Sequence, residues 1–181
     1  MRYAQIRSMD ISNGEGIGVS LFVQGCHFHC YNCFNQETWD FNSGKEWTRQ
    51  IERHFLDLVN KAYIKRVSIL GGEPLCDENV RTVLKLITKI NNNFNDKKIW
   101  LYTGYTWEEI MRSRNAFVKD KMLSLRQLAI CESDILVDGK YIDSLKNYSL
   151  KFRGSSNQRV IDVQKTLSEC NKTHELKLLY V

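Results

Sequence analysis

Proline is almost missing from this 181-residue chain, which has one, and its ten glycines are dispersed, so no stretch has the composition of a flexible linker. Apolar runs are short. None approaches the ~20 residues a membrane helix needs, and the opening MRYAQIRSMD contains no apolar segment of the kind a secretory leader carries. The expectation is a cytoplasmic protein with no membrane partner. Charge of one sign is also lacking: 26 basic residues against 21 acidic leave +5, and the basic ones are scattered without a block or an Arg-rich helix face. Nucleic acid is therefore not an expected partner, whereas an anionic ligand or an acidic protein surface suits a mild positive excess. Internal repeats and low-complexity tracts are absent. So are a second Cys-x2-Cys, a His pair and any His-Glu-x-x-His run. Zinc sites are usually built from two separated ligand pairs or from that helical run, so both kinds lose support.

What is present fits one globular domain with a core: 43% hydrophobic and 26% charged residues. VSLFVQG (19–25) is β-branched, apolar and stopped by glycine, which predicts a buried strand. RVSIL (66–70), IWLYT (99–103) and DILVD (134–138) repeat that pattern, ending respectively at Gly71-Gly72, Gly104 and Gly139. Between them, apolar residues recur at helical spacing from Trp47 through Val59, from Val80 through Ile90, and from Met122 through Leu128. Thr106 and Glu109 have the spacing of a capping box opening a short helix at WEEIM. Val160–Val163 and 176–181 are weaker strand candidates. A short buried strand, a glycine turn and an amphipathic helix, repeated, predict an α/β fold with a mostly parallel sheet and outer helices. Ligands bind such folds at the carboxyl ends of the strands, where the turns named above gather.

Six cysteines with no secretory leader argue for thiols and a metal rather than disulfides. Three of them, Cys26, Cys30 and Cys33, lie in GCHFHCYNCFN directly after the first predicted strand. Soft thiolates suit an iron–sulfur cluster or zinc. Three ligands on a cubane leave one iron open for a small molecule; a zinc ion would take a fourth ligand from His27 or His29. Cys76, Cys131 and Cys170 stand singly and are expected to be small buried or incidental residues.

The spacing Cys26-x3-Cys30-x2-Cys33 after one strand, with GGEP after the next, resembles the radical S-adenosylmethionine superfamily. MDISNGEGIGVSLFVQGC, ETWDFNSG, LYTGYTWEE, ILVDGKY and FRGSSNQR, in that order, resemble the anaerobic ribonucleoside-triphosphate reductase-activating proteins over roughly residues 1–160. The resemblance implies a partial (β/α) barrel as a core domain over 1–160, with 161–181 as an extension packed on it. It implies a [4Fe-4S] cluster on the three cysteines and S-adenosylmethionine as second cofactor. Gly71, Gly72 and Glu73 match the motif at the methionine amine; Thr103, Asp138 and Lys140 match strand-end positions lining the cofactor pocket. Asn32, Cys33 and Phe34 fall where relatives contact adenine, although Asn32 stands where many members have an aromatic residue. The implied partners are the large subunit of the reductase, whose glycine Cα would lose a hydrogen atom, and a flavodoxin-like or other low-potential electron donor. A small radical enzyme acting on a free metabolite is the alternative, and a zinc-bearing interaction module a further one. FRGSSNQR has no role readable from the sequence.

Overall fold

The computed structural model describes residues 1–111, 120–169 and 175–180. Seven strands and, among the described residues, five α-helices make a mixed α/β domain. The strands are β1 (Arg2–Asp10), β2 (Gly18–Val23), β3 (Lys45–Glu46), β4 (Arg66–Gly71), β5 (Lys98–Tyr102), β6 (Ile135–Asp138) and β7 (Arg159–Asp162). The helices are α1 (Arg49–Val59), α2 (Asp77–Asn93), α3 (Trp107–Met111), α4 (Lys121–Cys131) and α5 (Val163–Glu169). In the sheet the order is β3-β1-β2-β4-β5-β6-β7, and its two ends do not pair, so it is open rather than a closed barrel. The four strands β2, β4, β5 and β6 run parallel. The flanks are antiparallel, β1 against both β2 and β3 at one side and β7 against β6 at the other.

The four strands predicted from apolar runs are the four parallel ones, because each is buried on both faces. One face meets helices α1, α2 and α4 through a core including Val19, Leu21, Val67, Ile69, Ile99, Leu101 and Leu136. On the other face Trp100 and Val137 pack with Val160 and are flanked by Phe152 and Tyr180. Fully burying each large apolar side chain contributes about 1.5–3 kcal/mol, so these strands act as one rigid frame. Thr48 caps α1 by accepting from the Ile51 amide, and Asp120 caps α4 by accepting from Met122 and Leu123. At α3 the capping box is closed both ways, with the Thr106 amide donating to Glu109 at 2.6 Å and the Glu109 amide to Thr106 Oγ1 at 3.3 Å.

Three sequence expectations change. Strand β1 is unannounced in RYAQIRSMD, since only Tyr3 and Asp10 along it are buried and no clean alternation results. Val163 opens α5 instead of ending a strand, because Asp162 Oδ1 accepts from the Lys165 amide and turns the chain into a helix. The segment expected as a strand at 176–181 makes only a single bridge, Leu178 to Ile161, among its described residues. Hydrogen bonds from Asp162 N to Lys177 O (2.8 Å) and from Leu179 N to Val160 O (2.9 Å) hold it along β7. Cys170 lies outside the described residues.

One strand carries a cation into the interior. Arg66, at the start of β4, has 0% exposure and donates to Ser68 Oγ at 2.6 Å, to the Asp10 carbonyl at 2.7 Å and to Asp10 Oδ1 at 3.2 Å. Room for it comes from Gly18 on the neighbouring strand, where an added Cβ would stand 2.5 Å from Arg66 Cγ. Burial alone would raise the Asp10 carboxyl. Hydrogen bonds from the Asn13 side chain and from the Ser12 and Asn13 amides outweigh it and hold the group down at about 2.

Candidate functional site

A cavity of about 550 Å³ opens at the carboxyl ends of the parallel strands. Each strand end contributes: the cysteine loop after β2, Gly71-Gly72-Glu73 after β4, Thr103-Gly104 after β5, and Gly139-Lys140-Tyr141 after β6. Cys26, Cys30, Cys33, Phe34, Gly71, Gly72, Glu73, Thr103 and Lys140 all line it. Asn32 and Asp138 do not.

The cysteine loop is fixed at both ends. Gly25 N donates to Thr38 O (2.8 Å) and Cys26 N to Trp39 O (3.0 Å), where a short 3-10 turn, Gln36–Thr38, brings the chain back. Between them Cys33 N donates to Cys30 O at 3.1 Å, and the Asn35 amide points at Cys33 Sγ at 3.4 Å. His29 and Asn32 take positive φ, 46° and 53°, which lets the loop coil within so few residues. Both loop histidines are otherwise engaged. His27 contacts Glu78 at 3.1 Å and packs on Phe41, and the His29 ring stacks on Trp39 at 4.7 Å.

The glycine turn after β4 is shaped by contact with that loop. Glu73 N donates to Gly25 O at 2.7 Å, and a Cβ at Gly72 would stand 2.3 Å from the same oxygen. No side chain larger than hydrogen fits there. The Glu73 carboxylate is turned inward: Oε1 accepts from Leu75 N and Thr103 Oγ1, both at 2.8 Å, and Oε2 from Gly104 N at 2.7 Å. Burial pushes its pKa up to about 7 against those three bonds. Glu73 and Thr103 thus tie the ends of β4 and β5 together.

Asp138, read from the sequence as a pocket residue, is fully buried and committed elsewhere. It accepts from the Trp107 amide at 2.7 Å and from Arg159 Nε at 3.0 Å, and Arg159 bridges on to Glu108 at 2.7 Å. Its carboxylate anchors α3 and β7 to the end of β6 and faces away from the cavity. Asn32 is exposed and donates to Asp143 at 3.2 Å. Phe34 is half exposed and packs on Tyr141 at 5.2 Å. Lys140 is exposed, its ammonium 4.7 Å from the Phe28 ring centroid.

FRGSSNQR acquires a structural role. Gln158 Oε1 accepts from Gly154 N (2.9 Å) and Ser155 N (3.2 Å), while its Nε2 donates to Gly139 O at 2.9 Å. Asn157 Nδ2 donates to Lys140 O at 2.8 Å. Both amide side chains clamp the turn after β6 that presents Lys140. Sequence reasoning missed this clamp, and with it Phe28, Tyr102 and Tyr141 of the cavity wall; the Gly104 turn it did place there. Tyr102 was legible as part of an apolar strand but not as a hydroxyl left buried without a hydrogen-bond partner.

The donor set fits an iron–sulfur cluster. Three thiols on one short loop line a single cavity, and a cubane binds each thiolate to a different iron. Cys26 is buried and its thiol is pushed up to about 11 by that burial, and Cys30 is raised by burial and by neighbouring Cys33. Metal would displace these protons on binding. Cys76 sits buried just before α2, and Cys131, partly buried, ends α4; neither lines the cavity. Among the described residues no helix is long and apolar enough to cross a membrane.

Comparison with known proteins agrees with this geometry. Residues 12–161 match the family described as a 4Fe-4S single cluster domain. The chain is 39% identical over 163 residues to the anaerobic ribonucleoside-triphosphate reductase-activating protein of Escherichia coli K12, covering 88% of this chain and 97% of that one. The proteins of the same name from Vibrio cholerae and from bacteriophage T4 are 36% and 34% identical over 160 residues. These alignments cover 87% and 88% of this chain and 96% and 93% of theirs.

Proposed function

Because this chain belongs to the family of anaerobic ribonucleoside-triphosphate reductase-activating proteins, we propose that it activates such a reductase by generating a glycyl radical on the large subunit. Cys26, Cys30 and Cys33 would hold a [4Fe-4S] cluster with one iron free of protein ligands. Bound there, the cluster would supply one electron and a chelation point for S-adenosylmethionine, whose cleavage at the sulfur–C5′ bond would give methionine and a 5′-deoxyadenosyl radical able to take hydrogen from a glycine Cα. The electron comes from a flavodoxin-like or other low-potential donor. On this reading the open sheet is a partial barrel, residues 1–160 form the core and the chain works in the cytoplasm.

The observation that carries the proposal is the convergence of three thiols, the Gly71-Gly72 backbone and Lys140 on one cavity. Gly71 and Gly72 would let the methionine amine approach backbone oxygens, Lys140 would meet the methionine carboxylate, and Phe34 with the Asn32–Cys33 backbone would border the adenine. Glu73, Thr103 and the Asn157–Gln158 clamp hold these elements in register, and the apolar walls keep water from the reactive centre. Asp138 acts through Arg159 as a positioning residue.

The test is 5′-deoxyadenosine formation by anaerobically reconstituted, reduced protein given S-adenosylmethionine, with and without the reductase. Formation that depends on each of Cys26, Cys30 and Cys33, together with a glycyl electron paramagnetic resonance signal on added reductase, is expected. Protein carrying a full cluster that yields no 5′-deoxyadenosine overturns the reading.

A further inference from the structure

Three elements of the cavity wall meet on the ring of Phe28, inside the cysteine loop. Tyr105 packs against it edge to face, the centroids 4.8 Å apart and the planes at 72°. Gly104 lies so close that a Cβ there would stand 2.5 Å from Cδ2 and Cε2 of the ring. The Lys140 ammonium sits over it, 4.7 Å from the centroid. The ring thus joins the loop after β2 to the turns after β5 and β6. Its footing is fixed in turn. The Tyr105 amide donates to Thr103 Oγ1 at 3.1 Å, its carbonyl accepts from Gly139 N at 3.0 Å, and Arg126 lies 4.9 Å from its ring centroid. Arg126 donates to Leu75 O at 2.7 Å and pairs with Asp77.

Among the described residues the Lys140 ammonium pairs with no carboxylate and rests on this ring instead. Lys98, at the opposite end of β5, shows the other arrangement, its ammonium 2.6 Å from Asp134. The difference matters to a ligand. An exposed lysine left to itself spreads over many rotamers, and fixing one of them opposes binding. A carboxylate partner would fix the ammonium but also neutralise it. An aromatic face attracts a cation through the ring quadrupole while carrying no net charge. Lys140 is therefore steadied with its charge and its N–H donors still available to an anion in the cavity.

We infer that Phe28 is a positioning residue: its ring holds the Lys140 ammonium, uncompensated, where it meets the carboxylate of bound S-adenosylmethionine. The inference rests on the activase reading above and adds a residue that acts on the ligand through Lys140. Because Phe28 stands between Cys26 and Cys30, the loop that bears the thiols also sets where this cation stands. Disorder in that loop then releases the Lys140 side chain even while its own turn stays clamped by Asn157 and Gln158.

Phe28→Leu empties the space beside Gly104 and loosens the cysteine loop, so the test keeps the shape of the ring and changes its electrostatics. Full-length protein carrying mono-, di- or trifluorinated phenylalanine at position 28 is reconstituted anaerobically, with and without Lys140→Met. S-adenosylmethionine binding is measured by calorimetry at equal iron per chain. Fluorine draws negative charge from the ring face and weakens its hold on a cation. Affinity is expected to fall stepwise with fluorination, roughly twofold to fivefold in all, and to stay flat across the Lys140→Met series. A flat series with Lys140 present, or an equal fall in both series, overturns the inference and leaves the activase reading intact. Lys140→Met that binds as tightly as wild type overturns the inference together with the assignment of Lys140. Wild-type protein with a full cluster that binds no S-adenosylmethionine overturns the activase reading as well.

Discussion

Replacing Arg66 with methionine removes a fully buried charge while nearly keeping its volume. The guanidinium has 0% exposure and its partner Asp10 4%, so neither can be rescued by water in place. Removing one member of a buried pair costs about 3–5 kcal/mol, because the remaining charge loses its compensation. Asp10 keeps three hydrogen bonds from Ser12 and Asn13, which places the expected loss near the lower end, about 3 kcal/mol. For a chain of this size that corresponds to a fall in melting temperature of roughly 6–12 °C. With an ordinary urea dependence the midpoint drops by about 1 M or more. The assay is urea unfolding of the metal-free protein at pH 7, Arg66→Met against wild type, with slope and midpoint fitted separately. The double variant Arg66→Met/Asp10→Asn should recover at least half of the loss, since the uncompensated charge is gone. A single-variant loss below about 1 kcal/mol, with unchanged slope, would refute the claim that this pair is desolvated.

The same carboxylate gives an acid limit. Its pKa is held down at about 2 in the folded chain against an ordinary 3.8, so its stabilisation is complete above about pH 4 and is lost as pH falls toward 2. Roughly 2 kcal/mol should disappear over that window in wild type and be missing from the pH profile of Asp10→Asn. Gly72→Ala forces a methyl group against the Gly25 carbonyl and should push the cysteine loop off the β4 turn. Iron bound per chain after reconstitution should fall severalfold, and full iron content would contradict the contact. Gln158→Ala frees the Gly139 carbonyl and loosens the turn presenting Lys140. S-adenosylmethionine binding by calorimetry should weaken severalfold at unchanged iron content, and rescue by Gln158→Asn should be poor because the shorter side chain spans less.

The parallel core was readable because burial on both faces leaves a continuous apolar run, and each of VSLFV, VSIL, IWLY and ILV is such a run. Strand β1 was not, since it pairs at a flank with much of its length exposed and is held by its antiparallel partner β2. Arg66 opens one of the legible runs, yet nothing local distinguishes a buried arginine from one at a solvent-exposed strand start. Its partner lies fifty-six positions away. Asp138 misled for a related reason: a carboxylate at a strand end reads as a pocket group until Arg159, on an antiparallel strand with no glycine-turn signal, is seen to take it. That the cysteines, the Gly71-Gly72 turn and Lys140 gather at one cavity was legible because each directly follows a strand that its own apolar run announces. The clamp at Asn157 and Gln158 was not, because it acts through backbone carbonyls that every residue possesses.

That clamp separates two kinds of damage. The three thiols share one short loop, fastened by Thr38 and Trp39, whereas the turn after β6 in the same cavity wall is held by Asn157 and Gln158 beside β7. An opening that lifts β7 away therefore leaves the thiols neighbours and takes away part of the wall around them, so solvent reaches the cavity before the cysteine loop itself has come apart.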